Sequence, residues 1–158
     1  MAVVTAYERA RGATLTDVSP GRDRRLSHVI EQLGGTAPHV ASADFISSLF
    51  DETRIIEVKG RGSSGPITVI ERERDTFLAA TVHSWLYVVW NTTQALEYRL
   101  WLLRHPARLP WVETRAAERP PGGARGARHE AAFDCQPADI ERLGVEVDLT
   151  GLDLPPKD

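Results

Sequence analysis

The run Ser84-Trp-Leu-Tyr-Val-Val-Trp90 is the most apolar stretch of the chain and constrains its fold more than any other. Its length and its β-branched and aromatic content suit an extended strand. Unbroken apolarity without alternation means that both faces of that strand must be covered. The chain is therefore expected to build a sheet around a buried central strand. Asn91-Thr-Thr-Gln94 reads as a turn, and Tyr98-Arg-Leu-Trp-Leu-Leu103 as the antiparallel neighbour. Trp85, Tyr87, Trp90 and Trp101 are assigned to the core rather than to a base-stacking platform, because they sit in apolar strands and not among lysines. A purely structural oligomerisation domain would instead need Trp90 and Trp101 exposed.

A second strand carries the chemistry. In Arg54-Ile-Ile-Glu-Val-Lys-Gly-Arg61, alternation puts Ile56, Val58 and Gly60 on one face and Ile55, Glu57 and Lys59 on the other. An acid and a base at i and i+2 on a rigid strand can share one small site, the carboxylate holding a hard cation and the ammonium meeting the anion bound to it. By itself, Glu57-x-Lys59 also describes an ordinary ion pair on a solvated edge. Upstream, residues 39–48 read as a strand of small and β-forming residues containing Asp44, a carboxylate that is out of place there by propensity. Phe50-Asp-Glu-Thr53 supplies a turn, so residues 43–60 form a hairpin that brings Asp44 beside Glu57.

The remaining segments frame these strands. Val3, Val4, Tyr7 and Ala10 have helical spacing over residues 2–11, with Glu8 beside the apolar stripe and Gly12 as the stop. Residues 14–19 alternate as a short strand running into the Pro20-Gly21 turn, where Asp17 is expected to cap. Leu26, Val29, Ile30 and Leu33 define a helix over 22–33 that ends at Gly34-Gly35. Its basic start, Arg22, Arg24 and Arg25, suits a solvated face or an anion contact. After the loop Gly60–Gly65 comes an extended segment, residues 66–70, and a helix over 71–82 whose Glu71, Glu73 and Asp75 favour the positive end of its dipole. Pro106, Pro110, Pro120 and Pro121 with Gly122, Gly123 and Gly126 mark residues 105–130 as a flexible loop carrying Arg115, Arg119, Arg125 and Arg128. A short helix over 137–143, stopped by Gly144, and a strand over 145–149 follow. The expected organisation is one domain over 1–104 with a helical insertion at about 22–35, the loop 105–130, and a helix and strand extension over 131–158.

Composition bounds the function. A chain of 158 residues, 42% hydrophobic, buries a real core. No apolar run is long enough to span a bilayer, and the N-terminus lacks the basic start and apolar run of a signal peptide, so a cytoplasmic location and no membrane partner are expected. One cysteine, Cys135, excludes an internal disulfide, and five scattered histidines show no ligand spacing. A net charge of −3 is mild for a protein that grips phosphates, so a second subunit or a remodelling partner is expected to add affinity.

The order of helix, strand, helical insertion, acid-bearing hairpin, helix and buried strand resembles the restriction endonuclease-like fold of the PD-(D/E)xK nucleases, with Asp44 and Glu57-Val58-Lys59 as its motif. More closely, the chain resembles the uncharacterised family named after the C-terminus of the plant protein NO VEIN, often appended to helicases. The matching pieces are Tyr7-Glu8-Arg9 with Gly12, Asp17-Val18-Ser19, Asp44-Phe-Ile-Ser-Ser48, Arg54–Arg61, Ile67-Thr-Val69 with Glu71 and Glu73, and Trp85–Asn91. The segment between Ser19 and Asp44 is an insertion relative to that pattern.

The resemblance implies an α/β fold with a central mixed sheet flanked by helices, and hydrolysis of phosphodiester bonds in defence, restriction or repair. Asp44, Glu57 and the Val58 carbonyl would hold Mg²⁺ or Mn²⁺, with Lys59 orienting or deprotonating water and Glu8 or Glu73 supporting them from behind. The partner would be nucleic acid, expected to be DNA, contacted by Arg61, Arg115, Arg125 and Arg128. A helicase or a second copy of the chain would supply further grip. The alternative is a catalytically silent module of the same fold that binds nucleic acid or protein.

Overall fold

A computed structural model describes residues 1–19, 24–93, 97–118 and 129–157. The chain runs α1 (Ala2–Ala10), β1 (Thr14–Asp17), α2 (Arg24–Gln32), β2 (Phe45–Leu49), β3 (Glu52–Gly60), β4 (Ile67–Ile70), α3 (Glu71–Ala80), β5 (Ser84–Trp90), β6 (Arg99–Arg104), β7 (Val112–Arg115), β8 (Ala132–Cys135), α4 (Pro137–Leu143) and β9 (Val145–Val147). Six strands form a mixed sheet in the order β1-β2-β3-β5-β6-β9, and β4, β8 and β7 form a second, three-stranded sheet. Among the described residues, only β3 and β5 run parallel within the larger sheet, since the chain between them crosses over through β4 and α3. The protein is thus a mixed α/β fold with a central mixed sheet flanked by helices.

The apolar run behaves as its composition requires. β5 lies inside the sheet, paired on either side with β3 and β6, and Leu86 through Trp90 are all buried. Leu86, Val88 and Trp90 pack with Phe77 of α3, while Tyr87 and Val89 pack with Val3 and Val4 of α1. A third cluster joins Leu26 and Ile30 of α2 to Ile46 and Ile55. Helices therefore cover both faces, and the alternation of β3 sends Ile56 toward α1 and Ile55 toward α2.

Some boundaries depart from the sequence reading. Residues 39–44 are irregular and β2 begins only at Phe45; Ala41 and Ala43 are buried against α2, and the Ser42 amide is taken by the Thr76 hydroxyl at 2.9 Å, so local packing replaces a strand ladder there. Within 105–130, read as loop, residues 112–115 form β7, because β8 offers them a pairing edge invisible in the local sequence. The last strand stops at Val147 rather than 149. Trp90 is fully buried and Trp101 is 8% exposed, and β9 covers the β6 edge near Trp101, so neither tryptophan supplies an open oligomerisation surface. The Pro20-Gly21 turn and Arg22 lie outside the described residues. Among the described residues, no helix is long and apolar enough to cross a membrane. Cys135 is a buried free thiol.

Candidate active site

The β2/β3 hairpin brings the motif together. Asp44 stands one residue before β2 and is fixed by its backbone, its amide donating to the Ile56 carbonyl at 2.9 Å and its carbonyl accepting from the Val18 amide at 2.9 Å. Its Oδ2 accepts the Val58 amide at 2.8 Å. In an extended strand the amide and carbonyl of one residue point the same way, so the Val58 carbonyl also points to the side where Asp44 lies. Burial raises the Asp44 carboxyl above its ordinary pKa despite the Val58 hydrogen bond and the Lys59 charge.

Glu57 and Lys59 follow on the face that carries Ile55, the same face to which α3 presents Glu73. Lys59 Nζ lies 3.0 Å from Glu57 Oε1 and donates to both Glu73 oxygens at 2.9 and 2.8 Å. Glu73 is placed by its own helix: as the third residue of α3 it reaches back to accept the Ile70 amide at 3.0 Å, a capping contact that leaves its other lone pairs for Lys59. Two carboxylates, Glu57 and Glu73, thus hold one largely buried ammonium, with Asp44 close enough to feel its charge. Glu57 is 5% exposed, and burial together with the Glu73 charge pushes its carboxyl up to about 9. Burial opposes the charge on Lys59, but Glu57 and Glu73 outweigh it and hold the amine above its usual pKa.

The other anticipated residues do not join this cluster. Glu8 lies on the opposite face of the sheet, so it cannot support the Asp44 and Glu57 carboxylates. There it is fully buried, accepting from Arg11 Nη1 at 2.8 and 2.6 Å, from the Ser47 hydroxyl at 2.5 Å and from the Tyr87 hydroxyl at 2.5 Å. Arg54 donates to Tyr87 at 2.7 Å and to Glu52 at 2.5 Å, closing a network of buried charges under α1. Sequence reasoning missed this network. Its signal was a tyrosine inside an otherwise aliphatic strand, whose hydroxyl needs a partner when buried. Arg61 folds back to donate to the Pro66 carbonyl at 2.6 Å. Arg115 sits on β7, two strands from Ile70, and donates to the Glu130 carbonyl at 3.2 Å. Arg125 and Arg128 lie outside the described residues.

The donor set suits a hard cation chemically. It is all oxygen, it carries more negative than positive charge, and Mg²⁺ requires only one or two carboxylates besides water. It is not a ready-made cage: among the described residues, no three histidine, cysteine or acidic side chains converge at metal-holding distance.

A family model described as the C-terminal region of protein NO VEIN matches residues 1–101. The chain belongs to the NO VEIN C-terminal family. The match spans α1 through the start of β6, and so includes both the Asp44, Glu57, Lys59 and Glu73 cluster and the Glu8 network of this NO VEIN-type chain. No curated protein and no solved structure matches it significantly.

Proposed function

We propose that this NO VEIN-type chain is a metal-dependent nuclease-type domain that hydrolyses phosphodiester bonds in nucleic acid, on a restriction endonuclease-like core. The observation that carries the reading is the meeting of Asp44, Glu57, Lys59 and Glu73 in one cluster with more acidic than basic groups. The order α1, β1, β2, β3, α3, β5, with β3 and β5 parallel, supports the core assignment.

Asp44, Glu57 and the Val58 carbonyl are the groups that would hold Mg²⁺ or Mn²⁺, which when bound polarises the phosphoryl group and lowers the pKa of its water. Glu57 must lose its proton to serve, so ion binding and deprotonation are linked. Lys59 stays charged because two carboxylates hold it, so it orients the attacking water and stabilises charge on the phosphoryl oxygens rather than taking a proton. Glu73 positions Lys59 from α3.

The second reading, a catalytically silent module of the same fold, is favoured by one observation: Lys59 is already fully engaged by carboxylates. A cleavage assay on single-stranded and duplex DNA and RNA with Mg²⁺, Mn²⁺ or EDTA separates the two. Metal-dependent cleavage that disappears in Asp44→Ala and Lys59→Ala, with ion binding retained only in the lysine variant, is the expected result. Cleavage persisting in both variants, or absent from the wild-type protein on every substrate, rules out the nuclease reading.

A further inference from the structure

Residues 39–44 reach the acidic cluster without a strand ladder to hold them. Ala41 and Ala43 are buried in the cluster under α2, but apolar contacts fix no direction. The Asp44 backbone is tied to Ile56 of β3 and to Val18 just after β1, and neither bond reaches α3. The tie to α3 comes from Thr76. This residue is 1% exposed, and its hydroxyl donates to the Arg72 carbonyl one turn back at 2.9 Å. With its proton engaged on its own helix, the oxygen can only accept from outside, and it accepts the Ser42 amide at 2.9 Å. Among the described residues this is the one hydrogen bond between α3 and residues 39–44.

Thr76 lies one turn beyond Glu73 on the same side of α3. A closed circuit results. Asp44 Oδ2 accepts the Val58 amide at 2.8 Å, the next residue, Lys59, donates to Glu73 at 2.8 Å, and one turn on Thr76 returns to Ser42, two residues before Asp44. Without the Thr76 oxygen, the long Lys59 side chain is left as the hydrogen-bonded link between Asp44 and Glu73.

We propose that Thr76 is a positioning residue: through the Ser42 amide it sets the Asp44 carboxylate against α3, and with it the separation at which Asp44, Glu57 and Glu73 face one another. Its effect on ion affinity rests on the metal-dependent reading above, whereas the placement of Asp44 does not. Carboxylates that share one ion must be held to within about 0.5 Å of their working places, and loss of the groups that orient ligands costs about 10–100-fold in metal affinity.

The test combines calorimetric titration of the full chain with Mn²⁺ and amide hydrogen exchange by NMR in EDTA, with melting curves as the folding control. Thr76→Val keeps the shape of the side chain and removes the acceptor. It should weaken Mn²⁺ binding at least about tenfold. It should also speed exchange of the Val58 amide, which donates to Asp44, by about tenfold relative to Leu86 in the neighbouring strand, the scale of one lost hydrogen bond. Thr76→Ala removes the same acceptor with a strong helix former and should behave alike. Thr76→Ser restores the oxygen and should match the wild type in both readouts. Val4→Ala, a buried truncation on the α1 face, should lower the melting temperature yet leave Mn²⁺ binding and the Val58 to Leu86 ratio unchanged. Wild-type exchange at Val58 in the valine and alanine variants, or the same losses in Thr76→Ser or Val4→Ala, would overturn the proposal. Faster exchange confined to Val58 in a protein that binds no Mn²⁺ leaves the placement of Asp44 standing and removes the metal-dependent reading. Mn²⁺ binding that Asp44→Ala abolishes and Thr76→Val leaves untouched removes the positioning role alone.

Discussion

Replacing Glu57 by glutamine should make this protein more stable at alkaline pH, opposite to the usual cost of altering a buried polar group. The folded state holds the Glu57 carboxyl protonated up to about pH 9, whereas the unfolded chain releases that proton near 4.5. A raised folded pKa contributes stability that is fully present below the unfolded value and is lost as pH rises toward the folded one. Across that window each pH unit removes about 1.4 kcal/mol. Between pH 7 and 8.5 the metal-free wild type should therefore lose about 2 kcal/mol. Asp44 shifts the same way but starts from a lower value, Lys59 and Tyr87 titrate above this range, and the carboxylates lowered by ion pairs, such as Glu52 and Glu146, act only in acid. Glutamine keeps the shape and stays neutral, so the pH slope should flatten in Glu57→Gln. Urea midpoints measured in EDTA at pH 7, 7.5, 8 and 8.5 read this directly. A wild type whose stability is flat or rising over that range, or a variant with the same slope, would show that Glu57 is ionised in the fold and that the charge argument is wrong.

Other perturbations separate the two faces of the sheet. Glu8→Ala strands Arg11, Tyr87 and Ser47 in a buried site, and should cost about 3–5 kcal/mol by chemical denaturation. Loss below 1 kcal/mol would mean that water replaces the carboxylate. Gly35→Ala puts a methyl 2.3 Å from the Ala79 carbonyl, where backbone must move, at a cost of about 1–3 kcal/mol. Gly34→Ala meets open space and should cost only about 1 kcal/mol for its positive φ, so equal effects in the two variants would refute the close approach of these segments. Adding Mg²⁺ at pH 8 should raise the melting temperature of the wild type but not of Asp44→Ala, and an identical rise in both would place the ion elsewhere.

The parts of this fold that were legible in the sequence are those written by local periodicity. Ser84–Trp90 could only be a covered strand, and the alternation of Ile55, Glu57 and Lys59 against Ile56 and Val58 foretold which side chains share a face. Partnership across the sheet was harder to read. Glu8 and Glu73 are both glutamates on helices beside the sheet, and nothing near either in sequence says that one helix covers the α1 face and the other the Lys59 face. The apolar contacts of each helix decide it, Val3 and Val4 packing α1 on one face and Phe77 packing α3 on the other. Strand β7 was illegible for a related reason: Val112-Glu-Thr-Arg115 is exposed throughout, so it carries no burial pattern, and its order comes from β8 far along the chain.

The family match ends at residue 101, yet β9 closes the edge of β6, β8 pairs with β4, and Cys135 and Ile140 sit in the same core as Trp90. Residues beyond the match thus complete layers begun inside it. The segment recognised by common descent is smaller than the unit that packs together. Fusing only the matched segment to another protein would uncover the β6 edge and leave β4 unpaired, inviting strand exchange between copies.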